Sequence, residues 1–273
     1  MMGLIGRCKE LFVSFRDKRL QVSRAGGFLN RARRGHTERM ELIEAIARFR
    51  RSPYWEVRNI GVKLCGLLGE NDQSPWLLEL LSKRSDKGFL RRNAADSLRA
   101  IGTASTDVLM ALMHGLEDPY WEVRSVSALA LADLAQGDAA IEEALLTALA
   151  AGRKNRRGEV IETNFDVRRS LAVALGAHGS SASFAVLPAL LTDPNWQVRN
   201  AALETCHAMY RRGIIDQPAL AAAIQQVDIT AEGFKPVFTL SATYRRLLGS
   251  IDGRDEPRNG SEVAHGAVSE GDD

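Results

Sequence analysis

The chain has 273 residues, 45% of them hydrophobic, 26% charged and 6% aromatic, and its 36 basic and 34 acidic residues leave a formal charge of +2. That composition belongs to a globular protein and excludes a disordered, collagenous or uniformly polycationic chain. Three widely separated cysteines, Cys8, Cys65 and Cys206, exclude a disulfide framework and a four-thiolate zinc site and suit a reducing, cytoplasmic compartment.

Residues 1–36 read as a basic amphipathic arm or cap. Up to Thr37 there are nine basic residues against Glu10 and Asp17, a net +7, and Leu4, Ile5, Cys8, Leu11, Phe12 and Phe15 fall on one side of a helix. Charge arrives too early for a secretory signal, and Arg7 stands where a myristoylation motif needs Ser or Thr. The arm is expected to cover the first repeat, to lie on an anionic membrane surface, or to dock on an acidic partner.

From residue 37 to residue 251 two kinds of apolar helical segment alternate. The first kind comprises Glu38–Phe49, Trp76–Leu81, Val108–Leu116, Ile141–Leu149, Phe184–Leu191 and Ala219–Val227. Ser74-Pro75, Thr106-Asp107 and Asp138 supply helix starts, and Gly69, Gly102 and Gly179 supply stops. The second kind aligns without a gap, from Val57, Leu90, Val123, Val167 and Val198, at spacings of 33, 33, 44 and 31 residues. The long spacing contains an insertion, Gly152–Thr163, whose Arg153, Lys154, Arg156 and Arg157 form a basic loop. Pro236–Leu248 completes a sixth pair, and no alternating strand pattern is present. The charge-free stretch Ser170–Thr192 could span a bilayer by length, but its polar centre, Gly176–Ser183, makes it two helices around a turn. No transmembrane segment is therefore expected. From Asp252 the tail carries seven acids and two arginines with little to bury, and disorder is expected.

A period near 33 residues is that of a solenoid. Counting from each Val or Leu start, offsets 0, 4, 8 and 11 are apolar and trace one side of a helix. The fold class is all-α: an α-solenoid of about six helix hairpins. Offset 1 is arginine in every unit, at Arg58, Arg91, Arg124, Arg168 and Arg199, and offset −5 holds Ser52, Ser85, Asp118, Glu162 and Asp193. These two columns predict a structural ladder of arginines bonding turn acceptors in their own or the neighbouring repeat. Offset −2 holds Trp55, Gly88, Trp121, Phe165 and Trp196. Such aromatics either fold back on the first turn as hydrophobic staples or form a partner-binding row on one edge.

The runs Asp118-Pro-Tyr-Trp-Glu-Val-Arg124 and Asp193-Pro-Asn-Trp-Gln-Val-Arg199 resemble the short HEAT-like repeats first noted in phycobilin lyases, with their Asp-Pro turn and Val-Arg start. The resemblance covers residues 37 to 250 and implies that the second helices line a concave face. Offsets 2, 6, 9 and 13 would then face outward from the buried stripe. In the middle units they present Leu129, Ala132 and Val173 among Arg92, Arg99 and Arg169. An apolar centre with a charged rim is the layout of a protein-binding groove.

A non-enzymatic adaptor or assembly scaffold for another protein is the leading expectation, without cofactor or metal. The five histidines are scattered, His178 sits in an apolar column, and Cys65 and Cys206 occupy the buried stripe. The run Lys87–Ala95 is similar to one in bilin lyases and implies, as an alternative, a lyase subunit or phycobiliprotein chaperone. A further resemblance is to DNA-binding alkylpurine glycosylases, since Asp118 and Asp193 stand near Trp121 and Trp196. The repeat body from Glu38 to Ile251, with 25 basic and 25 acidic residues, disfavours wrapping nucleic acid.

Overall fold

In the computed structural model, which describes residues 4–84, 87–150, 153–154, 160–162, 164–231, 235–236 and 238–251, the repeat pattern becomes a stack of helix hairpins. A long first helix, α1 (Leu4–Arg33), precedes α2 (Arg39–Arg50) and α3 (Trp55–Leu68), α4 (Ser74–Ser82) and α5 (Gly88–Ile101), and α6 (Thr106–Gly115) and α7 (Trp121–Leu134). Then come α8 (Ala139–Ala150) and α9 (Phe165–His178), the short α10 (Ser181–Phe184) and α11 (Leu187–Leu191) with α12 (Trp196–Arg211), and α13 (Gln217–Gln225) with α14 (Phe238–Ile251). Two small antiparallel ladders interrupt the loops: β1 (Arg153–Lys154) with β2 (Val160–Ile161), and β3 (Thr230–Ala231) with β4 (Lys235–Pro236). The chain is an all-α solenoid of six hairpins.

Local chemistry accounts for the boundaries. Asp138 Oδ1 accepts the Ala140 and Ile141 N–H groups at the start of α8, and Asp216 caps α13 on Ala219. At α6 the cap is Ser105, one residue before the expected Thr106-Asp107. Gly69 and Gly102 end α3 and α5 at φ of 72° and 80°, a left-handed turn that a side chain would strain. Gly179 departs from that pattern with φ of −59°. The expected single helix over Phe184–Leu191 is broken into α10 and α11. Pro188 lacks an N–H, and its ring would meet the carbonyl four residues earlier.

The second helices pack side by side in chain order, α3, α5, α7, α9, α12 and α14, and α1 extends the row by lying on α3. Lys18 pairs with Glu56 at 2.6 Å, and Ala25 and Leu29 are buried in the core. The side chains of the expected stripe from Leu4 to Phe15 lie outside those described, as do the tail from Asp252 and, in the insertion, Arg156 and Arg157. Small residues make close approach possible: Ala94, Ala95, Ala128, Ala172 and Ala202 are completely buried. The first helices are more widely spaced. Clefts of about 470 Å³ and about 580 Å³ open between α6 and α8 and between α8 and α11. Tight spacing on one side and loose spacing on the other bend the stack, so the second helices form the inner, concave layer.

The expected ladder links the later repeats, where Arg91, Arg124, Arg168 and Arg199 each reach both their own turn and the next one, whereas Arg58 bonds the Ser52 and Pro53 carbonyls of its own turn and Ser85 lies outside the described residues. Arg91 clamps Asp118 through two bonds of 2.7 and 2.8 Å, Arg124 clamps Glu162 through two of 2.9 Å, and Arg168 clamps Asp193 at 2.7 and 3.0 Å. From the same guanidinium, Nη1 of Arg124 and Arg168 donates to the carbonyl of Asp118 and Glu162 in its own turn, both at 2.8 Å. The carboxylates also accept the Tyr120, Asn164 and Asn195 N–H groups two residues on. Arg199, in the last aligned unit, bonds the Asp228 and Thr230 carbonyls instead.

A second carboxylate ties α8 to the following repeat. Glu142 accepts the Ser180 N–H and Ser180 Oγ at 2.8 Å each, and a close bond from Ser183 Oγ. Burial pushes its pKa up, but these hydrogen bonds outweigh it and hold the carboxyl below its usual range.

Two predictions follow from these pairs. Replacing Arg168 by Met strands a buried carboxylate and should lower stability by about 3–5 kcal/mol, whereas Arg99→Ala, at a half-exposed pair, should cost less than about 1 kcal/mol; urea denaturation measures both. Because the Glu142 carboxyl is depressed in the folded state, its contribution is complete above the unfolded value and is lost as pH falls through the folded one. Glu142→Gln should therefore flatten the acid limb of a stability–pH profile, and an unchanged limb would assign acid unfolding to other groups.

Candidate functional site

The inner layer places the expected partner-binding side chains on one surface. Arg92 and Arg99 project from α5, Leu129 and Ala132 from α7, and Arg169 and Val173 from α9, three helices in direct contact. Val173 is 43% exposed, which for an aliphatic side chain on a helix packed on both flanks marks an uncovered position. Leu129 and Ala132 are half-buried. Arg99 pairs with Asp133 of α7, Arg92 Nε lies 3.9 Å from Glu122, and Arg169 lies 3.6 Å from Asp166. A short aliphatic strip is thus bordered by partly exposed cations, Arg99 bonded to Asp133 and Arg92 and Arg169 held at longer range.

The aromatic column lies elsewhere, along the edge where first helices turn into second ones. Trp55, Trp121 and Trp196 are the first residues of α3, α7 and α12, and all three are half-buried. Trp121 and Trp196 pack against the core. A hydrophobic staple needs the residue before the N-cap, but here the N-caps are Tyr54, Tyr120 and Asn195, so the tryptophans sit inside the first turn. In the second unit the column holds Gly88 for a steric reason. A Cβ there would stand 2.5 Å from the Tyr120 ring. Tyr120 also stacks edge-on against the exposed Phe89 at 5.3 Å and donates to Glu122 at 2.8 Å. Burial and that carboxylate push the Tyr120 phenol up to about 12.

Two parts of the surface are not visible in the single-stripe reading. Offsets 3 and 7 are buried as well: Asn93, Ser97, Val126, Ala130, Ser170, Ala174 and Thr205 lie between neighbouring inner helices. Ser97 Oγ donates to the Val62 carbonyl at 2.8 Å, and Thr205 Oγ1 makes the equivalent bond to Ala172 at 2.6 Å. Ser125, expected on the open face, is buried against Ser170 Oγ at 2.8 Å, and Gly176 is buried too. The signal was the lack of any charge in those two columns. The other part is the amino-terminal end of the face, where Lys63 of α3 meets Arg33 and Arg92. Burial and these two cations hold its ammonium below the usual lysine range, with Asp96 opposing them.

The reactive residue types are engaged structurally. Burial pushes the Cys65 and Cys206 thiols up to about 12. His178 is buried, its Nδ1 accepting the Asp138 N–H at 3.3 Å and its Nε2 placed 3.0 Å from the Leu131 carbonyl, which makes Nε2 the protonated nitrogen. No group of three His, Cys, Asp or Glu among the described residues is arranged to hold a metal ion. None of the described helices is long and apolar enough to cross a membrane. In the basic insertion, Arg153 and Lys154 form strand β1, and their side chains lie outside those described.

Repeated helix hairpins, an arginine–carboxylate ladder at three successive junctions and an open inner face define a repeat-solenoid protein. A family model of HEAT repeats matches residues 42–132, and a single HEAT repeat model matches residues 185–212. These two segments of the chain are thus similar to HEAT repeats. HEAT repeats generally mediate protein–protein interaction, and proteins built from them are typically non-enzymatic scaffolds. These matches carry no specific tie to the phycobilin lyases. A search of the curated proteins finds no match.

The edge packing generates a prediction. Gly88→Ala should destabilise the second and third repeats by about 1–3 kcal/mol through overpacking, and Tyr120→Ala in the same chain should recover part of that loss. A double-mutant cycle by thermal or chemical unfolding measures the coupling, and strict additivity would sink the steric account.

Proposed function

We propose that this chain is a non-enzymatic adaptor that grips a protein partner on the inner face of α5, α7 and α9. The observation that carries the reading is the aliphatic strip of Leu129, Ala132 and Val173, left open on three tightly packed helices and bordered by Arg92, Arg99 and Arg169. Rigid neighbours preorganise such a strip, so binding needs little ordering of the scaffold. The half-buried Trp55, Trp121 and Trp196, with Phe89 and Phe165 exposed beside them, offer a second anchoring edge. In this reading residues 37–251 are the gripping solenoid, residues 1–36 are a basic arm continuous with it, and 252–273 are an acidic tail. The reducing compartment suited to its three widely separated cysteines makes the cytoplasm the proposed location.

The test is crosslinking and affinity capture from native lysate, read by mass spectrometry, with wild type and Leu129→Glu/Val173→Glu compared. We expect specific partners to fall about tenfold or more when charge is placed in the apolar centre of the face, at unchanged melting temperature. Met40→Glu, at an exposed methionine on α2, should leave capture intact. Equal capture by the inner-face variant and wild type would reject the inner face as the grip.

A further inference from the structure

The amino-terminal end of the inner face gathers positive charge that the described protein leaves largely unneutralised. Arg33 ends α1, Lys63 lies on α3 and Arg92 on α5, three helices packed in sequence. Among the described residues no carboxylate comes within ion-pair distance of Lys63 or Arg33. The Arg92 Nε is buried without a hydrogen-bond partner. Its nearest carboxylate, Glu122, is 3.9 Å away and already accepts the Tyr120 hydroxyl. Asp96, on the same helix as Arg92, acts on Lys63 from outside bonding distance. The contrast with Arg91, adjacent in sequence and doubly bonded to Asp118, is direct. Arginines that hold the fold are tightly paired here, whereas this group of three cations is crowded together. Arg33 and Arg92 raise the cost of charging Lys63, and an incoming anion relieves that repulsion.

We infer that Arg33, Lys63 and Arg92 bind an acidic peptide segment of the protein partner, an assignment that rests on the protein-binding reading above. The segment sets its carboxylates among the three cations and continues across α7 and α9 onto Leu129 and Val173. Neighbouring helices in such layers are roughly 8–10 Å apart, so the step from α5 to α9 is about that of a six-residue extended chain. The surface next to the cations is aliphatic, the arginines that border it, Arg99 and Arg169, pair with Asp133 and Asp166, and the repeat body carries 25 bases and 25 acids. That leaves no continuing track for a phosphate backbone, which favours a peptide over nucleic acid.

Fluorescence anisotropy of a labelled oligoglutamate peptide with the full-length chain tests this. Lys63→Gln/Arg92→Gln should weaken binding about tenfold or more, as expected for direct charge contacts, while Arg19→Gln/Arg24→Gln, at exposed positions of α1, should leave it within about twofold. Lys63→Gln should melt at the same or a higher temperature, since it removes repulsion. A lower melting temperature would make Lys63 a structural residue and overturn the assignment. So would oligoglutamate binding lost in the α1 variant but retained in the Lys63/Arg92 variant. Tighter binding of an oligothymidylate through Lys63 and Arg92 would overturn the choice of a peptide ligand. If oligoglutamate fails while capture still depends on Leu129 and Val173, the acidic segment is rejected and the protein-binding face stands.

Discussion

The bidentate clamp between an arginine of one repeat and the carboxylate of the next is the constraint on which this solenoid depends. A solenoid has no contacts beyond nearest neighbours, so the geometry of each junction propagates along the stack. Arg91 with Asp118, Arg124 with Glu162 and Arg168 with Asp193 repeat one arrangement at three junctions. A guanidinium offers a planar fork of donors, and two parallel bonds to a carboxylate fix orientation as well as distance. The remaining donor holds the carbonyl of its own turn, so a single side chain sets both the shape of the loop and the seat of the next hairpin. Such a pair specifies geometry more than it adds net stability, because desolvation offsets much of the attraction.

From that junction follows the division of the molecule into a tight inner layer and a loose outer one. Inner helices meet through alanine and serine, with hydroxyls such as Ser97 and Thr205 capturing carbonyls of the preceding inner helix. Outer helices stand apart, and the ladder pairs line the clefts between them, Asp118, Arg124 and Glu162 in one and Arg168 and Asp193 in the next. Charge is buried where it organises the stack, and the inner surface is left for aliphatic groups and more exposed cations. The same helices that cannot separate without breaking the ladder therefore present a rigid, preformed face.

Much of this architecture was legible in one dimension. The spacing of Val57, Leu90, Val123, Val167 and Val198 announced the hairpins, and the arginine and acid columns announced the ladder. The placement of Leu129, Ala132 and Val173 on one surface also follows from their offsets. Legibility failed where packing between helices, rather than along one, decides burial. Ser125 and Gly176 read as open positions, yet they are covered because a neighbouring inner helix lies against them. The tryptophans read as staples or as an edge row, yet they begin the helices, because Tyr54, Tyr120 and Asn195 take the N-cap positions. Phe184–Leu191 read as one helix, and Pro188 splits it.

The sequence by itself determined the class of fold, the number of hairpins and the residues of the clamp, because periodicity and capping are local properties encoded by residue spacing. Only the tertiary structure decided which flank of each second helix is buried twice, why Gly88 replaces an aromatic, and where Arg33, Lys63 and Arg92 converge. Those outcomes depend on distances between residues some thirty positions apart. A helix reports its own faces in sequence, but the lateral neighbour that covers one of them is set by the approach of two backbones.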